Sequence, residues 1–566
     1  MPTRSPHPPL NIPKKNLLSY LFPADDATAI FDKPIWIDAS NPSVYLTQQT
    51  LLSTAKRLAV GIEKQSRPDG NLLVKPGEVV LIFSPNQIMI PAAYLGSVGS
   101  KRIFSGISAG LSVQDAAFQM RDAEARLVLV HPSLLETAVA AARKTNFPTD
   151  KIFQFSESEN QTRFGIRDWK FLLGSIEEAS EYEWPNLDGQ KSKETIATIN
   201  YSSGTTGLPK GVCISHYNLI SNVEQTIFSR NAYKSLSEKE LEERWVAFLP
   251  LYHAYGQLYT VLMAAKLGVP NYIMQSFRFK EYLQLVQDHK ITQLQIAPPI
   301  VVMLAKRPET AKYDLNSVID MTCGAAPLST DLQNEVSRRL NVKINQGWGM
   351  TELTCSAILV PGGLRDETGS IGVLAPNCEC KLVDDSGTEL ADDERGEIYF
   401  RGPNVCLGYW KNEAATRDLF TPDQWLKTGD IAVRRNGWFW IVDRKKELIK
   451  VMGFQVAPAE LEALLLSHED IADAAVVGIK INDLEFPRAY ISLKETARRR
   501  KPELTPTAIE EWVRPQVVRY KWLSGGVVLV DEVPRLPSGK IQRKIMREWA
   551  ERDAASVSQS AGTPKL

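Results

Sequence analysis

Residues 195–212 read TIATINYSSGTTGLPKGV. From Thr195 to Tyr201 apolar and polar side chains alternate, which predicts a strand. The strand runs into Ser202, Ser203, Gly204, Thr205, Thr206 and Gly207, with Lys210 three residues on. Glycines let backbone N–H groups converge on an anion, hydroxyls add donors, and Lys210 adds charge, so the loop suits a polyphosphate. A flexible Ser/Thr/Gly linker is the plainer reading, but the ordered Gly-x-x-Gly-x-x-Lys-Gly directly after a strand argues against it. The loop lacks the Gly-Lys-Ser/Thr ending and spacing of a Walker loop, which disfavours a P-loop NTPase.

On either side of this loop, short β-rich runs alternate with helical patterns. EVVLIF (78–83) precedes a helical stretch near Ala92 to Gly96, and RLVLVH (126–131) precedes LLETAVAAARK. That alternation predicts an α/β fold with a mostly parallel sheet covered by helices. Lys381 to Phe400 changes texture: KLVDDSGTEL and GEIYFRG read as strands joined by Asp-Ser-Gly turn chemistry, a smaller β unit. After Asp443, Pro458 falls at the first turn of a helix whose Leu461, Leu464 and Leu465 share a face. The expected organisation is a large N-terminal domain, 1–443, with parallel-rich sheets and the β unit. A small mobile α+β domain, 444–566, follows and ends in a disordered tail.

Composition narrows the functional classes. In 566 residues, 66 Lys plus Arg balance 66 Asp plus Glu, so the overall field steers toward neither nucleic acid nor an anionic membrane. The six cysteines fit neither zinc nor redox spacing and read as reduced thiols in an intracellular protein. MPTRSPHPPLNIPKK leaves no room for a secretory core. Trp245 to Ala265 carries a single charge-free run, but Pro250, His253, Gly256, Gln257 and Thr260 interrupt it, so a buried strand, loop and helix is expected rather than stable membrane insertion. No sequence feature specifies an oligomeric state.

Further motifs follow the loop in a set order: LPLYHAYG (249–256), CGAAPL (323–328), GWGMTE (347–352), WLKTGD (425–430), DRKKELIK (443–450), GFQVAPAELE (453–462) and LPSGKIQRK (536–544). Together they resemble the adenylate-forming superfamily of acyl-CoA synthetases, 4-coumarate:CoA ligases, luciferases and adenylation domains, from about residue 40 to 545. The resemblance implies ATP, Mg2+ and coenzyme A as cofactors and a small-molecule carboxylic acid as substrate. It implies that Thr351 contacts phosphate, that Glu352 is catalytic and helps hold Mg2+, and that Gly324, Ala325, Ala326, Gly347, Trp348 and Gly349 pack around adenine. Asp430 would accept hydrogen bonds from the ribose, with Arg444 as companion. Lys540 would bridge the substrate carboxylate and the α-phosphate, offsetting repulsion between two anions. Lys446 would be the hinge of a rotating C-terminal domain. Rotation would bring in Lys450, tied to the second half-reaction, with Gly453 and Phe454 beside coenzyme A.

In PLYHAYGQLY, His253 resembles the catalytic histidine between acyl pocket and nucleotide, and Tyr255 matches an acid-pocket position. No aspartate stands there to pair an ammonium, so an α-amino acid is disfavoured. Trp348 and Leu353 to Ser356 depart from the plant-ligase pattern, so the acid is not assigned as 4-coumarate. The expected function is an AMP-forming acyl-CoA ligase. The alternatives are a stand-alone adenylating enzyme serving a carrier protein, a luciferase-like oxygenase, and a non-catalytic nucleotide-binding homologue. The chain ends in Pro-Lys-Leu, resembling a Ser-Lys-Leu address with proline in the third-last place, which would make a peroxisomal import receptor a partner.

Overall fold

Alternating strands and helices assemble into two large sheets that share one core, and the α/β reading holds. The computed structural model describes residues 2–23, 32–64, 72–202, 209–235, 238, 240–451, 454–481, 484–499, 504–536 and 538–560. A seven-stranded sheet has Ile103–Ile107, Val79–Phe83, Ala125–Val130 and Ile152–Gln154 running parallel, with Ile196–Ser202 parallel to Ile103–Ile107 on one side. Every residue of Val79–Phe83 and Ile103–Ile107 is buried, as expected of parallel strands covered on both faces. Ile196–Ser202 pairs antiparallel with Lys210–Ser215, Ser202 facing Lys210.

The second sheet has nine strands. Its parallel centre runs Lys343–Gly349, Asp320–Cys323, Gln293–Ile296, Trp245–Ala247, Asn271–Ile273 and Trp36–Asp38. Val80, Phe104 and Leu127 of the first sheet and Trp245, Ile273 and Ala357 of the second belong to one apolar cluster. The charge-free stretch is strand Trp245–Ala247, a loop, and helix from Ala254 to Leu267 whose middle, Gln257–Met263, is π-helical. No described helix is long and apolar enough to cross a membrane. All six cysteines are free thiols.

The β unit is a five-stranded antiparallel sheet ordered Thr3–Arg4, Glu379–Val383, Arg395–Arg401, Leu426–Arg435, Trp438–Arg444. Its DDSG turn forms as composition suggests, Asp384 Oδ1 accepting from the Ser386 and Thr388 backbones. The edge strand comes from the far end of the chain. Thr3 pairs with Cys380, and the main chain of Leu10 exchanges two hydrogen bonds with the Asn377 amide. Asn16 then ties the Gly99 and Pro185 carbonyls together.

Beyond Arg444 the elements form their own cores. A hairpin, Ile449–Val451 with Phe454–Val456, precedes helix Pro458–Ser467, with Pro458 in its first turn. The strands Ile471–Ile481, Leu484–Leu493 and Val527–Leu529 form a three-stranded sheet. Leu461, Leu465, Val476 and Ile491 pack on one face of it, and Val477, Ile479, Tyr490 and Met546 on the other, the last from helix Arg543–Ser560.

Candidate active site

A cleft of about 2410 Å³ opens where the two large sheets, the β unit and the C-terminal elements meet. Strand ends and tight turns project the polar residues into it, the usual place for a ligand in an α/β fold.

Strand Lys343–Gly349 ends in a bulge at Trp348 and Gly349 and turns through Thr351–Leu353. Gly349 is required there because a Cβ would fall 1.6 Å from the Cys355 carbonyl oxygen. The return is a tight γ-turn: Thr354 has φ +66° and ψ −54°, and the Cys355 N–H donates to the Leu353 carbonyl at 2.7 Å. Such backbone costs roughly 1–3 kcal/mol and survives only when its surroundings hold it. Here they do. Thr354 Oγ1 donates to the Asn404 carbonyl at 2.7 Å, the buried Asn404 amide donates to Leu353 O, and Asn222 brackets Ser356 from the other side. The result is a fixed position for Glu352, 5% exposed, whose Oε1 accepts from the Tyr409 hydroxyl at 2.9 Å. The Lys210 ammonium lies 4.9 Å from the centre of the same Tyr409 ring, because Gly408–Tyr409 pairs with Lys210–Ser215. Glu352 and the cationic end of the phosphate-type loop thus share one aromatic support.

Asp430 and Arg444 face each other across adjacent strands, with Arg444 Nε 3.4 Å from Asp430 Oδ1. The Trp348 indole N–H donates to Asp430 Oδ2 at 2.8 Å. An ionised carboxylate offers about four acceptor sites, so two partners leave room for two ligand hydroxyls.

His253 precedes the short helix Ala254–Gly256, and its Nδ1 accepts from the Tyr255 N–H at 3.3 Å, which assigns the ring proton to Nε2. Burial and the nearby Lys540 charge push its pKa down to about 3, so the ring stays neutral. The loop before it hangs on Asn86, which bonds the Leu249 carbonyl and the Leu251 N–H, and the helix is tied to strand Ile196–Ser202 by a reciprocal Asn200–Gln257 amide pair. Lys540 is densely surrounded. Burial and Arg444 lower its pKa to about 8, against the pull of Glu352 and Asp430. Lys540, Arg444, Glu352, Asp430 and His253 therefore act on one another across a single site.

The other expected residues are placed as follows. Ala325, in left-handed backbone at φ +76°, and Ala326 line the cleft with Gly347 and Thr351. Gly324 lies just behind, against the ring of Tyr255. Tyr255 itself is not on the cleft wall: it is buried, and its hydroxyl donates to the Thr322 carbonyl at 2.9 Å. Lys446, its pKa lowered to about 8 by burial, follows the last strand of the β unit. Lys450 is exposed on the hairpin, with its backbone N–H on Glu485 and its charge near Asp385. Phe454, 54% exposed, stacks on Tyr520 at 4.4 Å. In this arrangement Lys540 occupies the site, and Lys450 and Phe454 stand outside its centre. Ser202 ends its strand, while Ser203, Gly204, Thr205, Thr206, Gly207 and Gly453 lie outside the described residues.

Sequence reasoning missed Tyr409, Asn404, Asn86 and the Asn200–Gln257 pair. Only the run GYW after GPN offered a hint of Tyr409, and it carries no chemistry by itself.

Comparison with known proteins adds a history to this geometry. Residues 24–410 match the family model for AMP-binding enzymes, and residues 460–540 match the model for the AMP-binding enzyme C-terminal domain. An acyl-CoA synthetase of Alternaria alternata is 36% identical, with 91% of this chain and 87% of that protein covered. A phenylacetyl-CoA ligase of Aspergillus niger is 33% identical over 95% of this chain and 97% of its own length. Among solved structures, an anthranilate CoA ligase in complex with anthranoyl-AMP superposes with a TM-score of 0.80 at 23% identity, covering 96% of this chain and 99% of that one, a likeness of fold.

Proposed function

Because the chain belongs to the family of AMP-binding enzymes and is an AMP-forming acid–thiol ligase, we propose that its described residues carry out two successive steps in the one cleft. In the first, a carboxylate oxygen of the acid attacks the α-phosphorus of ATP and pyrophosphate leaves. In the second, the coenzyme A sulfur attacks the acyl carbon, AMP leaves, and the thiol proton passes to solvent.

The observation that carries this reading is the convergence of Lys540 with His253, Glu352 and the Asp430–Arg444 pair. Asp430 accepts from the ribose hydroxyls while Trp348 and Arg444 keep its carboxylate aimed. Lys540 lies between acid and α-phosphate and offsets their repulsion, an effect whose loss costs about 10²- to 10³-fold in rate. His253, neutral and protonated at Nε2, donates to the acid rather than taking its proton. Lys210 and the loop before it hold the polyphosphate. Glu352 suits a magnesium ion that arrives on the nucleotide, since one carboxylate fixed by Tyr409 is the usual protein share of such a site. When bound, the ion neutralises charge on the departing pyrophosphate. For the second step, Lys446 is the pivot about which Lys540 withdraws and the hairpin of Lys450, Gly453 and Phe454 approaches.

Behind the cleft wall Tyr255 and Tyr259 pack edge to face at 5.4 Å, an aromatic layer that backs Gly324 and does not itself meet the acid. Phenylacetyl- and 4-coumarate-CoA ligases among the relatives support an apolar or aryl acid. The C-terminal Pro-Lys-Leu, outside the described residues, is read as a peroxisomal address; a fluorescent fusion with and without it tests this by co-localisation.

The deciding assay incubates purified protein with ATP, Mg2+, coenzyme A and aryl, cinnamic and aliphatic acids, following AMP, pyrophosphate and acyl-CoA by mass spectrometry. Acyl-CoA with at least one acid, abolished by Lys540→Ala, is the expected result. Adenylate without thioester would transfer the reading to a carrier-protein acceptor.

A further inference from the structure

Lys540 reaches the site on a turn that begins at Arg535 and is closed from within, the Gly539 N–H donating to the Leu536 carbonyl at 2.8 Å; what aims the turn at the site comes from outside it. Helix Pro298–Lys306 supports it at both ends. At the helix start, Pro299 meets Gly539: a Cβ on Gly539 would lie 3.0 Å from Pro299 Cγ and 3.3 Å from Ala297 Cβ, and Gly539 has φ +84°. Both the close approach and the left-handed backbone need glycine there. At the helix end, Lys306 Nζ donates to the Leu466 carbonyl at 2.5 Å and the Ile471 carbonyl at 2.8 Å. Leu466 is in the last turn of helix Pro458–Ser467, where unsatisfied carbonyls favour a cation.

From Ile471 the connection continues into the Lys540 loop. Asp473, two residues on, holds Arg535 through two hydrogen bonds, Nε to Oδ2 at 2.8 Å and Nη2 to Oδ1 at 2.7 Å. Arg535 Nη1 donates to the Gly539 carbonyl at 2.7 Å, and the Leu536 N–H donates to the Lys540 carbonyl at 2.8 Å, which closes the turn. A fork of this kind fixes direction as well as distance. An unbroken series of contacts thus runs from Lys306 through Ile471, Asp473 and Arg535 to Lys540. Lys306, Ile471, Asp473 and Arg535 are not among the groups assigned to the nucleotide above.

We propose that Lys306 and Arg535 are positioning residues that place Lys540 for adenylate formation and take no part in thioester formation. The proposal rests on the two-step reading above. Since a misplacement of about 1 Å can cost ~10²-fold in rate, loosening either end slows the first step by about 10- to 100-fold.

The test uses the full chain and whichever of phenylacetate, cinnamate or octanoate supports turnover. Two partial reactions are measured on the same preparations: ATP–pyrophosphate exchange, and thioester formation from presynthesised acyl-adenylate and coenzyme A. Lys306→Met and Arg535→Met are expected to lower exchange about 10- to 100-fold while thioester formation stays within about twofold. Lys306→Arg, which keeps a donor cation, should recover most of the exchange. A thermal melt beside each assay identifies a variant that has lost its fold, in which case Arg535→Lys supplies the measurement. Equal slowing of both steps, or exchange at the wild-type rate, overturns the positioning role. Wild-type protein that makes adenylate but no thioester overturns the ligase reading instead, and the claim of selectivity with it.

Discussion

Replacing Gly349 by alanine puts a methyl carbon 1.6 Å from the Cys355 carbonyl oxygen and 2.6 Å from its carbon. Real Cβ atoms do not come within 3.0 Å of such neighbours, so one backbone segment must retreat by more than an ångström. Neither retreats freely. Cys355 closes the γ-turn at Thr354, which Asn404 and Asn222 clamp, and Gly349 leads directly into Thr351 and Glu352. A shift of that size at Glu352 should lower adenylation about 100-fold. Overpacking costs a further ~1–3 kcal/mol of stability. The assay is ATP–pyrophosphate exchange at saturating ATP and Mg2+, with a thermal melt and ATP titration on the same sample. The expected result is a protein that still folds, melts lower, and exchanges about 100-fold more slowly. Exchange within a factor of three of wild type, at any melting temperature, would refute the idea that this close approach fixes Glu352.

Adenylation should weaken with rising pH. The Lys540 pKa is lowered, by burial first and Arg444 second, to about 8, so its charge is present below that value and lost above it. kcat/KM for ATP should fall through about pH 8 and stay flat in Lys540→Arg, whose guanidinium does not titrate there; a wild-type profile flat to pH 10 would count against a protonated Lys540. Trp348→Phe keeps the ring but removes the indole donor to Asp430. Losing a hydrogen bond to a charged group costs about 1.5–3 kcal/mol, so KM for ATP should rise at least about tenfold with kcat little changed; an unchanged KM would mean that Asp430 needs no such aim.

What the sequence disclosed about this protein followed from locality. The strand before Ser202, the parallel apolar runs at Val79–Phe83 and Ala125–Val130, and Pro458 at a helix start are decided within a few residues, and periodicity reports them. Motif resemblance extended the reading to Glu352, Asp430 and Lys540 one at a time. The supports escaped because each depends on a distant partner: Tyr409 on Glu352, Trp348 on Asp430, Asn404 on the Thr354 turn. TELTCS contains no glycine to betray positive φ at Thr354, and Lys306, in LAKRPET, looks like any solvated cation. Tyr255 illustrates the converse: a residue flagged by its motif proves to be engaged with the Thr322 carbonyl.

The edge strand Thr3–Arg4 bears on how the protein is made. Its partner, Glu379–Cys380, leaves the ribosome long after it, by about 20–80 s at 5–20 residues per second. During that interval the leading segment has no place in the β unit, and the open edge of Glu379–Val383 stays uncovered until the segment docks. The strand that covers this edge is therefore made well before the strand it covers. A bulky fusion ahead of residue 3 would act on this pairing, outside the lining of the cleft.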